Sequence, residues 1–535
     1  LWHIRYNFVW KLCGLYDYCY DIFASQKKRF FITSFAAILS FVLNIIIGFW
    51  TSPFIISKLG AEAHGFSSLG VNFTSYLSLA AIAINSFAAR FITVSLEQKD
   101  IEKANKYFTS VLYTNLAFIT VMLLPALIVL WKIDSFFQIP KYLIFDVRIQ
   151  WLLLFFAWAV NLAFRVFSTS TFVKNRLDIN HFLDTVSHIL RLFLIYILFT
   201  KLEAKLWYIG IASILCSVFV DIGYYISKRK LMPEISVKRK YFDFSCLKTL
   251  FVKGIWNTIN QLASMIMNGF DLLVTNWFVN PISMGLYSVA QTLPQYMQNL
   301  MYTLCDISTP NLTVSYAKGD SIQVRDGLKF VMKFNTALLA VPLLGFLVYG
   351  RDFYGLWLYS LDAQSIKIIT ILSILVIIPM LNGVFVQPLT TVNTITARLK
   401  IPVFVNLLVG VLNIVIEIIL VKTTNLGVYA IAGVSSVLIL LRDYTFYPIY
   451  SAKNLSLSAK TFYPTIIRGT LTCIVTFAFL FITHKFVTVT GWFSFFLYAA
   501  IFGIIAEGMV IALMFNREDK RIAVKIVKQK FLGKK

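Results

Sequence analysis

From Phe30 to Thr51 the sequence reads FFITSFAAILSFVLNIIIGFWT, without a charged side chain. A helix needs about 20 mostly apolar residues to cross the hydrocarbon of a bilayer, so this run predicts a membrane span. The same pattern recurs at residues 66–89, 109–131, 149–172, 182–200, 206–227, 254–279, 284–310, 330–350, 365–389, 402–421, 427–450, 465–484 and 491–515. Fourteen spans are therefore expected, and the predicted fold class is an all-α polytopic membrane protein. Composition agrees: 58% of the 535 residues are hydrophobic and 14% are charged, against about 25% charged in soluble proteins. The longest interval between runs, Lys228 to Lys253, leaves no room for a separate soluble domain. No Gly-x-x-x-x-Gly-Lys-Ser/Thr phosphate loop occurs, which argues against ATP-driven work within this chain.

The net charge of +24 would suggest nucleic acid in a soluble protein. In a membrane protein it has another reading, because basic loops gather on the cytoplasmic side. Each loop is taken together with the span ends that adjoin it. On that count 36 of the 49 lysines and arginines fall on the N-terminal side of the membrane and 10 on the other; Arg165, Arg191 and Arg442 lie within spans. This asymmetry predicts both termini in the cytoplasm, and no nucleic-acid partner. Residues 1–29 are expected to form a cytoplasmic or interfacial segment, with no cleavable signal peptide. Residues 228–253 read as a basic cytoplasmic linker, and residues 516–535 as a basic tail beside anionic lipid headgroups. The six cysteines contain no Cys-x-x-Cys pair, so neither a metal site nor a disulfide framework is expected.

A shift of 220 residues exposes an internal repeat. Gly65 then falls on Gly285, Thr93 on Thr313, Ser95 on Ser315 and Asp100 on Asp320. With two residues of slip, Arg176-Leu177-Asp178-Ile179 falls on Arg398-Leu399-Lys400-Ile401. Repeats separated by an even number of spans share topology, and transporters built this way bind substrate between the halves. The predicted body is two pseudo-symmetric six-helix lobes, residues 30–227 and 254–450, followed by two further helices within 465–515.

Polar residues in hydrocarbon face a bundle interior or a watery cavity. The seventh run carries Asn257, Asn260, Ser264, Asn268, Asp271 and Thr275 at helical spacing, and the eighth carries Gln291, Gln295, Gln298, Tyr302 and Asp306. The fourth has Asn161, Arg165 and Ser168; the fifth has Asp184, His188 and Arg191; the eleventh has Asn406, Asn413 and Glu417. An isolated amide more often holds helices together, whereas a whole stripe suits a wet cavity that meets sugar hydroxyls. The last two runs carry little of this and are expected outside the main cavity.

The charges divide in the same way. Arg165, Arg191 and Arg90 can cradle an anion, since guanidinium groups bind phosphate bidentately. The alternatives are internal pairing, for example Arg191 with Asp184, and snorkelling to the interface for Arg90. Asp271 and Glu417 can bind a coupling cation or proton, or can serve as partners for arginines; His188 is a protonatable group, or a satisfied helix contact. Arg442 and Asp443, adjacent on one helix, are not expected to face each other. Asp221, Asp306 and Glu507 lie near cytoplasmic ends, where solvation is the ordinary expectation. Pro125, Pro294, Pro342, Pro379 and Pro388 are expected to bend their spans.

The chain resembles the polysaccharide-export flippases of the multidrug/oligosaccharidyl-lipid/polysaccharide exporter (MOP) superfamily. The resemblance covers roughly residues 30–515. It rests on the fourteen spans, the two lobes and several local stretches: Arg90-Phe-Ile-Thr93, Lys174-Asn-Arg-Leu-Asp178, Met284-Gly-Leu-Tyr-Ser-Val-Ala290, and Pro310-Asn-Leu-Thr313 leading to Asp320. It implies a bacterial inner-membrane protein, without cofactor, that moves a polyprenyl-pyrophosphate-linked oligosaccharide (an O-antigen or capsular repeat unit) outward. Proton or sodium coupling and contact with other polysaccharide-assembly proteins are implied as well. Two rivals share the fold. A multidrug cation antiporter is expected to carry acidic sites in its first lobe, and a peptidoglycan-precursor flippase an arginine in its first span; Asn44 is the main polar residue of the first span here. A membrane-embedded enzyme is disfavoured by short outer loops and the lack of a clustered catalytic pair.

Overall fold

A computed structural model describes residues 26–174, 176–396 and 398–516. The expected N-terminal segment, up to residue 25, and the basic tail from residue 517 lie outside the described residues. Everything regular within them is helical, as hydrocarbon requires, since a helix satisfies its own backbone polar groups. In chain order the main helices are α1 (Gln26–Leu59), α2 (Ala61–Glu97), α3 (Ile101–Trp131), α4 (Ile144–Phe164), α5 (Leu177–Lys201), α6 (Tyr208–Leu231), α7 (Phe244–Asn268), α8 (Asp271–Phe278), α9 (Pro281–Ala317), α10 (Ser321–Trp357), α11 (Ala363–Ile395), α12 (Lys400–Thr423), α13 (Val428–Thr445), α14 (Tyr447–Asn454), α15 (Tyr463–His484) and α16 (Trp492–Met514).

All fourteen apolar runs lie on these helices. By length and apolar composition, 11 of the described helices can cross a membrane, or 12 if the bent pair Ala61–Leu79 and Ala81–Glu97 is one span. The runs that fall short are 254–279 and 284–310, the two that carry the long polar stripes. Their amides lower the hydropathy without breaking the helical spacing, so a count of fourteen remains compatible with the structure.

The repeat is legible in backbone detail. Helices α2 and α9, offset by 220 residues, are both 37 residues long. Each ends in the same turn. Lys99 takes a left-handed φ of 60° where its counterpart Gly319 takes 78°. Asp100 N–H donates to the Ser95 carbonyl (2.9 Å) and Asp320 N–H to that of Ser315 (3.2 Å). The carboxylate of Asp100 then caps α3 by accepting from Lys103 N–H at 2.9 Å, and that of Asp320 caps α10 by accepting from Gln323 N–H at 2.8 Å. The slipped match behaves likewise: Arg176 N–H donates to Thr171 (2.7 Å) and Arg398 N–H to Asn393 (3.0 Å).

The chain separates into two compact units. Among the described residues, one comprises those up to 51, 80–131 and 148–254; the other comprises 52–79, 132–147 and those from 255 onward. The first is packed around Ile92, Phe108, Val111, Val166 and Leu250. The second has its core where α10 and α11 meet α15, among Leu339, Leu343, Phe385, Leu389, Phe462 and Ile466.

Besides the bent pair in α2, three of the described membrane helices are broken. The fourth run becomes a 3-10 turn at Arg165–Ser168, the seventh stops at Asn268 and restarts at Asp271, and the twelfth restarts at Tyr447 ahead of Pro448. Breaks of this kind are tolerated at membrane depth where the freed backbone is buried in protein or lines a cavity.

Candidate functional site

The second unit encloses a cavity of about 470 Å³ bordered by α7, α8, α9, α11, α12, α13 and α14. Its wall is dominated by carboxamides. Asn260 and Gln261 come from α7, Gln291, Gln295 and Gln298 from α9, Gln387 and Asn393 from α11, and Asn406 from α12. Asn260 and Gln295 are exposed and Gln291 is buried. Tyr287, Tyr302 and Tyr447 add phenols, and Ser264, Thr390, Ser435 and Ser436 add hydroxyls. Pro294, Pro379 and Pro402 also face it. No residue of α15 or α16 contributes to the lining.

Of the sequence candidates, the structure brings Asn260, Gln291, Gln295 and Asp271 together on this wall. Asn257 is half-buried on α7 and does not line the cavity; the Asn268 side chain lies outside the described ones. The eighth stripe had already pointed to Gln298 and Tyr302. Gln387 and Asn393 were missed because α11 reads as an apolar run.

At one end of the cavity two buried carboxylates approach each other. Asp271 opens α8 at 4% exposure, and Glu417 of α12 is fully buried. The Tyr287 hydroxyl donates to Asp271 Oδ2 at 2.8 Å. Asn413 Nδ2, one turn before Glu417, donates to Glu417 Oε1 at 2.7 Å. Ser435 Oγ lies 3.0 Å from Glu417 Oε1 and 3.5 Å from Asp271 Oδ2. A hydroxyl has one proton to give, so Ser435 serves one carboxylate at a time. Asp271 Oδ1, Glu417 Oε2 and Asn413 Oδ1 are buried without a hydrogen-bond partner. Among the described residues no lysine or arginine pairs with either acid. Unsatisfied oxygens of this kind are costly in a low-dielectric interior. A proton or a small hard cation, which takes oxygen ligands, fits this donor set.

Arg442 and Asp443 occupy another part of the wall, and here the expectation fails. Arg442 Nη2 lies 2.7 Å from Asp443 Oδ1 although the two are adjacent in sequence. The flexible arginine stem folds back over the helix, and burial leaves the two charges no better partner than each other. Arg442 Nη1 also donates to Asn406 Oδ1 at 3.2 Å, and the guanidinium stacks on Tyr447.

The arginine candidates belong to the first unit. Arg165 begins the 3-10 turn and is exposed; Arg90 on α2 is exposed; Arg191 on α5 is half-buried. Among the described residues, neither Arg165 nor Arg191 forms an ion pair or a side-chain hydrogen bond, and Arg191 does not pair with Asp184. Asn161, exposed, donates to Ser217 Oγ at 2.9 Å. His188 is half-buried one turn before Arg191. Asp221, expected to be solvated, is instead 3% exposed, with Oδ2 unpartnered and within electrostatic reach of Arg165. It faces neighbouring helices inside the unit, which its nearness to a span end did not reveal.

The architecture is that of a polytopic membrane protein of the MOP-superfamily fold. The chain belongs to the family described as polysaccharide biosynthesis protein, whose model matches residues 80–360. The uncharacterized membrane protein EpsK of Bacillus subtilis (strain 168) is 28% identical over 427 residues, spanning 79% of this chain and 83% of its own. Among solved structures, the lipid II flippase MurJ in an inward closed conformation aligns with a TM-score of 0.65 at 14% identity, covering 90% of this chain and 98% of MurJ. An inward-facing multidrug resistance MATE transporter of the MOP superfamily aligns with a TM-score of 0.63 at 15% identity, covering 78% and 94%. A MOP superfamily transporter from Pyrococcus furiosus gives 0.56 at 13% identity, covering 81% and 97%. At these identities the likeness is one of fold.

Proposed function

We propose that this protein is a flippase that carries a polyprenyl-pyrophosphate-linked oligosaccharide from the cytoplasmic to the outer leaflet of the bacterial inner membrane by alternating access. The carrying observation is the carboxamide-lined cavity among the helices of the second unit. Amides both donate and accept, as sugar hydroxyls do, and a watery cavity is where such groups are tolerated within a bilayer. Membership of a polysaccharide biosynthesis family supports the same reading. Both termini are cytoplasmic on the distribution of basic residues.

In this reading the amides of Asn260, Gln291 and Gln295, which line the cavity, meet the glycan. Arg165 and Arg191, whose guanidinium groups form no ion pair or side-chain hydrogen bond among the described residues, take the pyrophosphate, with Arg90 at the cytoplasmic end of α2. Asp271 and Glu417 hold the coupling proton or sodium ion, and His188 is a second protonatable group. A proton or cation bound here would relieve unpaired oxygens on α8 and α12, which ties occupancy to the packing of α8, α12 and α13 around it.

The decisive experiment deletes the gene and identifies the lipid-linked glycan that accumulates on the cytoplasmic leaflet. Accumulation of one such species, reversed by the intact gene, is expected. A normal glycan profile, or accumulation of the peptidoglycan precursor alone, would exclude this reading.

A further inference from the structure

The chain has 49 lysines and arginines against 25 acids, yet the cavity of the second unit does not share that surplus. Among the described residues, its charged lining residues are Asp271, Arg442 and Asp443. The one cation, Arg442, is closed onto Asp443 at 2.7 Å and capped by Asn406 at 3.2 Å. That pair is neutral as a unit, and Asp271 adds either nothing or a negative charge. Everything else with polar character on the wall is an amide, a phenol or a hydroxyl.

We infer that the sugars seated in this cavity carry no acidic substituent; the cavity selects glycans that are neutral at the positions entering it. This rests on the proposed glycan-flipping activity and narrows its substrate. A hydroxyl or N-acetyl group finds both donors and acceptors on this wall. A carboxylate, sulfate or phosphate substituent would leave water without gaining an available counter-charge, and burying an unpaired charge is heavily penalised. It would also meet Asp443, and Asp271 whenever that acid is ionised, and like-charge juxtaposition discriminates strongly against a ligand.

The test uses the full-length protein in proteoliposomes and two synthetic short-chain polyprenyl-pyrophosphate oligosaccharides. The two differ only in a glucose replaced by glucuronic acid. The neutral glycan is expected to flip about tenfold faster or more. Equal rates, or a preference for the acidic glycan, would overturn the selectivity while leaving the flippase reading intact. Failure to move either compound would overturn the flippase reading and the selectivity with it. Two variants locate the selection. Gln295→Arg adds a cation at an exposed wall position, and Asp443→Asn releases Arg442 from its carboxylate. Each is expected to raise the acidic-to-neutral rate ratio, with a cooperative thermal unfolding transition in detergent reporting that the variant has folded. If Gln295→Arg folds and leaves the ratio unchanged, the cavity is not where the charge is read.

Discussion

Gly65 and Gly285, equivalent residues of the two halves of the repeat, pack backbone against backbone within the second unit. A Cβ on Gly65 would lie 2.8 Å from the Gly285 Cα, and one on Gly285 would lie 2.3 Å from the Ala61 carbonyl oxygen. Beside this crossing the buried ring of His64 bridges Ser288 Oγ at 2.8 Å and Ser52 Oγ at 3.1 Å. The start of α2 thus meets the start of α9 at matching positions, which only residues without side chains permit. Gly285→Ala is expected to destabilise the protein by about 1–3 kcal/mol through overpacking. Gly345→Ala, where an added Cβ meets nothing within 4 Å, serves as the control. Thermal unfolding in detergent should show a lowered midpoint for the first variant only.

The buried acids lead to a coupling prediction. Asp271→Asn and Glu417→Gln each remove one negative charge from a site with three unpartnered oxygens. If the site holds the coupling ion, each single variant loses the response of flipping to an imposed proton or sodium gradient, and the double variant is no worse than either single one. Unaltered gradient dependence in both singles would remove the two acids from the coupling site.

Arg191→Ala, and Arg165→Ala, are expected to abolish glycan export while the protein remains inserted at normal levels. The measurement is surface glycan against membrane-fraction protein. Full surface glycan in both variants would show that neither guanidinium holds the pyrophosphate.

The Arg442–Asp443 pair separates charge loss from charge exposure. Asp443→Leu strands a buried guanidinium and is expected to cost about 3–5 kcal/mol, whereas replacing both residues by leucine costs less. Thermal midpoints of the two variants should therefore fall in that order, the single change lower than the double.

The turn after α2 gives a backbone prediction. Lys99 holds a left-handed conformation, worth about 1 kcal/mol of strain for a residue with a side chain, where the second half uses Gly319. Lys99→Gly should be neutral or mildly stabilising. Gly319→Val should be destabilising although open space surrounds it, because the penalty lies in φ. Unfolding midpoints of the two variants decide it.

Much of this molecule is written locally. Apolar runs such as Phe30–Thr51 set the helices, because hydrocarbon admits little else. The Asp100 and Asp320 caps expose the repeat because a turn is a short-range event. The stripes led by Asn260 and Gln291 pointed to the cavity wall because helical spacing puts them on one face. Tertiary structure decided the rest. It joined Asp271 of α8 to Glu417 of α12 through Ser435 of α13, three helices that no spacing rule relates. It folded Arg442 onto its neighbour, buried Asp221, and brought Gln387 and Asn393 from an apolar-looking helix into a polar wall. Spacing along one helix fixes which residues share a face; what that face meets depends on contacts between helices far apart in sequence, which only the folded chain defines.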